Sequence, residues 1–385
     1  MFRKMPILLL LLIVSTVFMT PYMTLEVKQG FYAVSLTMKH LIVFVLPLII
    51  FALLFKTAVM LSSKATKIIG LILILVCCSN FISTMLSHFL GSWVYSFDLN
   101  MIKPNTLSGL APLWHADIPA LISNDKAMFS SIILGIFLPK VYPKQTMNIA
   151  KHIEVIIEKI LKGTVLIVPL FIVGFIVKLQ HDGVIGVIIK DYATIFTIIA
   201  LAQYGYILLL YFIISKGCVQ KFINHVKGML PAVMCGFSTM SSAASMPLTI
   251  MGVETDAKSK DLARSVVPAT VNIHLIGDCF AIPIFAYAVL KSFGVAEPSF
   301  YSYLIFAFYF MLAKFSVAAI PGGGIIVMLP ILDMYLGFSG EMMSLITALY
   351  ILFDPVITSA NIFGNGAFAK IMDMGFSNIL NKKSR

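Results

Sequence analysis

From Met342 to Met372 the chain reads MMSLITALYILFDPVITSANIFGNGAFAKIM, an oily run that carries Asp354, Pro355, Thr358, Asn361 and Asn365. At about 100° per helical residue, Asp354, Thr358, Asn361 and Asn365 fall within roughly 60° of one another, so one helix presents a single polar stripe. An ionisable group at bilayer depth costs about 3 kcal/mol or more, so this stripe has to face protein, water or a ligand. It is the first candidate for a binding site.

The oily surroundings extend over the whole chain. Of 385 residues, 59% are apolar and 12% charged, and apolar runs of about 20 residues recur, the composition of an all-α integral membrane protein. Six such runs precede the polar ones: Pro6 to Met23, read as a retained helix and not a cleaved leader, His40 to Leu61, Ile68 to Val94, Met128 to Leu138, Ile160 to Leu179 and Tyr192 to Ser215. The net charge of +11 sits in short clusters between runs, among them Lys140, Lys144 and Lys151, then Lys216, Lys221 and Lys227, then Lys258, Lys260 and Arg264. Alternation of these clusters with acid-offset segments obeys the positive-inside rule with both termini in the cytoplasm, and it argues against a nucleic-acid partner. The five cysteines show no metal-ligand spacing, so they read as packing residues with neither metal nor other cofactor expected.

After Ser215 the pattern changes. An apolar arm from Phe222 to Val253 is interrupted by Ser238, Thr239, Ser241, Ser242, Ser245 and Pro247, and a second, Tyr301 to Leu336, is interrupted at Pro321, Gly322, Gly323 and Gly324. Each reads as a re-entrant hairpin followed by a long helix, Ser265 to Lys291 and Met342 to Met372. Non-helical backbone at membrane depth survives where it lines a cavity or is buried in protein. Two matched hairpin-plus-helix units fit the inverted-repeat plan of secondary transporters, giving about eight membrane helices plus two hairpins. The amides of Ser- and Gly-rich tips suit a carboxylate.

The same stretches resemble one family. GFSTMSSAASMPLT (Gly236 to Thr249), AAIPGGGII (Ala318 to Ile326) and DPVITSANIFGN (Asp354 to Asn365) are similar, in order and spacing, to the two hairpins and last helix of the dicarboxylate/amino acid:cation symporters, the glutamate transporter family. The resemblance runs from about His40 to Met374. It implies a homotrimer in the cell membrane, a scaffold of residues 1–66 and 96–190, and a moving unit of residues 67–95 and 191–385. It also implies solute held by Ser241, Ser242, Gly322, Gly323, Asp354, Thr358 and Asn361, with Asp354 on an amino group and Asn361 on an α-carboxylate.

The departures from the family pattern refine the expectation. Ile357 stands where many members carry the arginine that pairs with a second carboxylate, and Met240 stands at the alternative arginine position. An unpaired buried charge is costly, so the solute is expected to be an amino acid with a neutral side chain. Of the two carboxylates that the resemblance implies for sodium, the first is replaced by Ile276, or by His274 when the stretch is aligned on Asn272, and the second by Asn365. Hard cations prefer anionic oxygen, so a proton is favoured over sodium as the coupled cation. His274, Asp278, Lys314 and Asn365 are the coupling candidates, with His274 and Asp278 on one helical face at i, i+4 and the Lys314 ammonium paired with Asp278 or Asp354. A sodium- or proton-coupled carrier of dicarboxylates or acidic amino acids remains the alternative, as does a degenerate sensor or channel. A hydrolase built on a hairpin serine with His274 and Asp278 lacks a nucleophile motif around any serine, and an enzyme is not expected.

Overall fold

The computed structural model describes residues 5–63, 67–97, 110–116, 118–119, 122, 124–183, 185–317 and 322–381. Within them the chain is helical: α1 (Met5–Met19), α2 (Leu25–Ser63), α3 (Lys67–Tyr95), α4 (Asn124–Val141), α5 (Pro143–His181) and α6 (Ile185–Ile214), then α7 (Val219–Thr239), α8 (Ser242–Glu254), α9 (Lys260–Thr270), α10 (Ile276–Ser292), α11 (Phe300–Ala313), α12 (Gly323–Leu336) and α13 (Gly340–Asn381). Among the described residues, three helical stretches are long and apolar enough to cross a membrane: Gly70–Tyr95, Tyr192–Ile214 and Gly340–Gly375. Phe129–Val141, Pro169–His181, Phe300–Ser316 and Gly323–Leu336 are shorter apolar stretches.

The centre of the molecule is α10. Every residue from Ile276 to Leu290 is buried, the signature of a helix that is apolar all round and surrounded by others. Helix α13 lies against it with its polar stripe inward: Asp354, Thr358, Asn361 and Asn365 are all buried. Two glycines permit this approach, since a Cβ on Gly277 would meet the Ile357 carbonyl and one on Gly364 would press on the Ile276 side chain.

Helix α3 is fastened to α10 and α11 along its length. The Tyr303 hydroxyl donates to the Thr84 carbonyl (2.7 Å) and lies 3.0 Å from the Ser87 hydroxyl. His88 Nδ1 lies 2.6 Å from the Tyr287 hydroxyl, Tyr95 donates to the Val295 carbonyl (2.8 Å), and Ser92 bonds Glu297. His88, whose place near a span end suggests solvation, is in fact buried among aromatic rings. Helices α1, α2, α4 and α5 form a second group in which α2 packs on α5, with the Ser35 hydroxyl bonded to the Phe171 carbonyl, whereas α6 packs on α10 and α13. The Lys178 ammonium on α5 contacts Asp182 (2.8 Å) at the C-cap of its own helix and Glu341 (3.2 Å) in the first turn of α13.

Each interrupted arm is divided into two helices, α7 and α8 in the first and α11 and α12 in the second, and each by its own device. At the first, Met240 takes a left-handed conformation (φ 47°) and Ser241 caps α8 by accepting the Ala244 N–H at 3.2 Å. At the second, α11 gives way to a 3-10 turn (Lys314–Ser316), and the chain reappears at Gly322, also left-handed (φ 73°), before α12. The tip itself, residues 318–321, including Pro321, lies outside the described residues. The stretch from Ser265 to Lys291, expected as one helix, is instead two. Helix α9 ends at Thr270 and α10 starts at Ile276, and Asn80 of α3 bonds the backbone at two points within the break, the Ile273 carbonyl and the Leu275 N–H.

Candidate functional site

A cavity of about 30 Å³ lies where the two interrupted arms meet α10 and α13. Met240 and Ser242 reach it from the first arm, Val317 and Gly324 from the second, Val271, Asn272 and Leu275 from the break, Asp278 from α10, and Tyr350, Asp354, Thr358 and Asn361 from α13. Since one water needs about 10–15 Å³ of such space, the cavity holds roughly two. A larger solute requires one wall to move.

Two carboxylates face this space, and their partners differ. Asp278, in the first turn of α10, accepts from the Lys314 ammonium (3.1 Å) and from the Tyr350 hydroxyl (2.8 Å), while its own N–H donates to Asn361 Oδ1 (3.2 Å). Lys314 is fully buried and lies over the Phe310 ring (4.3 Å). A charge in that position persists only because it is paired. Asp354 has neutral donors: the Gly322 N–H reaches Oδ2 at 3.0 Å and the Thr358 hydroxyl reaches Oδ1 at 2.8 Å. Of the two carboxylates offered by sequence as partners for Lys314, the ammonium therefore sits on Asp278.

The remaining predicted residues fall around this centre. Ser242 lines the cavity, whereas the Ser241 hydroxyl is engaged in the helix cap. Gly323 opens α12 and is buried. Ile357 is fully buried, lies outside the cavity wall, and presses its carbonyl toward Gly277. His274 and Asp278 do not share a helical face, because the break separates them. His274 Nε2 lies 2.8 Å from the Ser79 hydroxyl, its ring sits 4.5 Å from that of Phe368, and its Nδ1 is buried without a partner. Asn365 accepts the Thr270 hydroxyl at 2.6 Å, and its Nδ2 is likewise buried and unpartnered.

Sequence reasoning missed Tyr350, Asn272 and Asn80. Tyr350 lies four residues before Asp354 on the same stripe, so the helical spacing pointed to it, but a tyrosine in an apolar run reads as packing. Gly324 permits a close approach, since a Cβ there would meet the Tyr350 hydroxyl and stand 2.9 Å from Asp278 Oδ2.

The family model of the sodium:dicarboxylate symporter family matches residues 7–374. The chain belongs to this family. Relatives of this symporter-family chain include excitatory amino acid transporter 1 of Homo sapiens, 28% identical over 210 residues that cover 52% of this chain and 37% of the relative. Excitatory amino acid transporter 5 of Mus musculus is 25% identical over 209 residues, covering 52% and 35%. An excitatory amino acid transporter of Onchocerca volvulus is 27% identical over 165 residues, covering 43% and 32%. The match thus spans less than two fifths of the length of these curated relatives. Membership of a transporter family sets aside the hydrolase built on a hairpin serine.

Proposed function

We propose that the chain is a secondary active symporter that carries an amino acid with a neutral side chain, coupled to a cation, with the proton favoured over sodium. One observation carries the substrate reading. Among the described residues the cavity wall holds two carboxylates and no Lys or Arg, and the adjacent ammonium is already paired with Asp278. What is left unpaired is Asp354, which suits an amino group. A second carboxylate on the solute would meet that charge without a counter-ion. At 4 Å and an effective dielectric of 20 the repulsion is about 4 kcal/mol, more than the roughly 1.5–3 kcal/mol of a hydrogen bond to a charged group. The α-carboxylate of a neutral amino acid has the amide-bearing starts of α8 and α12 within reach of the same cavity, an arrangement favourable to anions.

The coupling reading is supported by Ile276 and Asn365. The Ile276 side chain offers no oxygen, and the Asn365 oxygen accepts a hydrogen bond from Thr270. Sodium would thus lose two anionic ligands. Lys314 occupies the neighbourhood as a built-in cation, and with Asp278, Asp354 and His274 it supplies groups able to exchange a proton. The fastening of α3 to α10 and α11 supports a moving unit of residues 67–95 and 191–385 against a scaffold of 1–66 and 96–190, with Val317 and Gly324 on the part of the wall that opens. A homotrimer in the cell membrane with both termini cytoplasmic completes the reading, and chemical cross-linking of the purified protein tests the trimer.

The second reading, a sodium-coupled carrier of dicarboxylates or acidic amino acids, is favoured by the family description. Uptake of labelled serine and labelled aspartate into proteoliposomes, under a proton or a sodium gradient imposed separately, decides between them. Proton-driven serine accumulation is the expected result. Sodium-driven aspartate accumulation would overturn it.

A further inference from the structure

Asn80 lies on α3, fully buried, and its carboxamide bonds two points of the backbone within the break between α9 and α10. The NH2 group donates to the Ile273 carbonyl at 2.6 Å, and Oδ1 accepts the Leu275 N–H at 3.2 Å. In a continuous helix both groups would bond within the helix, four residues away. Interruption leaves them orphaned in a dry interior, where each unmet group costs about 1–3 kcal/mol. A carboxamide carries a donor and an acceptor side by side, which is what the two orphans need. The neighbouring Ser79 hydroxyl adds its contact to His274, between them in sequence.

We propose that Asn80 is a positioning residue for solute binding: by holding the backbone of the break at Ile273 and at Leu275, the N-cap of α10, it fixes the start of α10 and, with it, the cavity wall. This inference rests on the reading of the cavity as the solute site. Leu275 is the N-cap of α10 and itself lines the cavity. Less than one turn later comes Asp278, whose N–H meets Asn361 and whose carboxylate meets Lys314 and Tyr350. Those bonds tie α10 to α13 and to the second hairpin. A start of α10 that drifts would pull Asp278 away from three partners at once. Asn80 does not touch the cavity, so it acts through the backbone alone.

Two measurements on the full-length protein test this, using Asn80→Leu, which keeps the volume and loses both hydrogen bonds, and the milder Asn80→Ser. Hydrogen–deuterium exchange reads the pin without any solute: the amides of residues 273–278 exchange about tenfold faster or more in Asn80→Leu, as expected for a lost bond of 1–3 kcal/mol, while peptides from α6 keep the wild-type rate. Concentration dependence of labelled serine uptake reads the bearing on binding: half-saturation rises about tenfold with the maximal rate largely kept. Asn80→Ser falls between in both and stands in if the leucine variant does not fold. Wild-type exchange at 273–278 in both variants would sink the proposal, as would faster exchange with unchanged half-saturation. Wild-type protein that accumulates no amino acid at all would instead remove the solute reading, and exchange would still decide whether Asn80 holds the break.

Discussion

At the scale of single residues, the two cavity carboxylates make opposite predictions. Asp354→Asn keeps the shape but removes the unpaired charge and one of the two acceptor oxygens, so serine uptake in proteoliposomes should fall about 100-fold or more, the loss of one buried charge-assisted contact. Uptake at the wild-type level would end the amino-group assignment. Asp278 is a matter of balance. Lys314→Met alone leaves a carboxylate buried without its counter-charge, a cost of about 3–5 kcal/mol, whereas Lys314→Met with Asp278→Asn removes both charges and should recover most of that loss in a thermal melt. Equal damage in the single and double variants would mean that the pair does not couple. Asp354, Thr358 and Asn361 were legible because helical spacing alone puts them on one face. Asn80 was not, because its partners are backbone groups of another helix, which become available only once that helix is broken.

At the scale of elements, long apolar runs marked the helices, and Ser- or Gly-rich interruptions marked where the first arm breaks between α7 and α8 and where α12 begins. The break before α10 escaped notice for a physical reason. Val271, Asn272, Ile273, His274 and Leu275 contain neither Gly nor Pro, and the groups that make an unwound segment tolerable come from α3. The first hairpin shows a different economy. Met240 holds a left-handed conformation with a full side chain, which costs about 1–2 kcal/mol relative to glycine. Met240→Gly should therefore stabilise the folded protein by about 1 kcal/mol in a thermal melt, offset in part by the added freedom of glycine in the unfolded chain. It also takes a side chain from the cavity wall, so solute half-saturation should change as well. A destabilised variant would show that the Met240 side chain contributes more packing than the turn costs.

At the scale of the molecule, one ionic contact ties the early helices to the last one. Lys178 is nearly buried beside Asp182 and Tyr32, while the Glu341 side chain keeps 32% of its surface in water. A pair so exposed on one side adds little to stability, under about 1 kcal/mol, so Glu341→Gln should leave the melting temperature almost unchanged. Its expected effect is on rate: if α13 shifts past α5 during the cycle, the variant should exchange labelled for unlabelled serine faster. An unchanged exchange rate would show that the contact is not broken in turnover. Part of the Glu341 side chain is accessible; where that part meets the aqueous bath, dissolved ions screen the pair over about 8 Å at physiological strength. In a vesicle with unequal salt on its two sides, the exchange rate should then follow the bath on the Glu341 side more than the other.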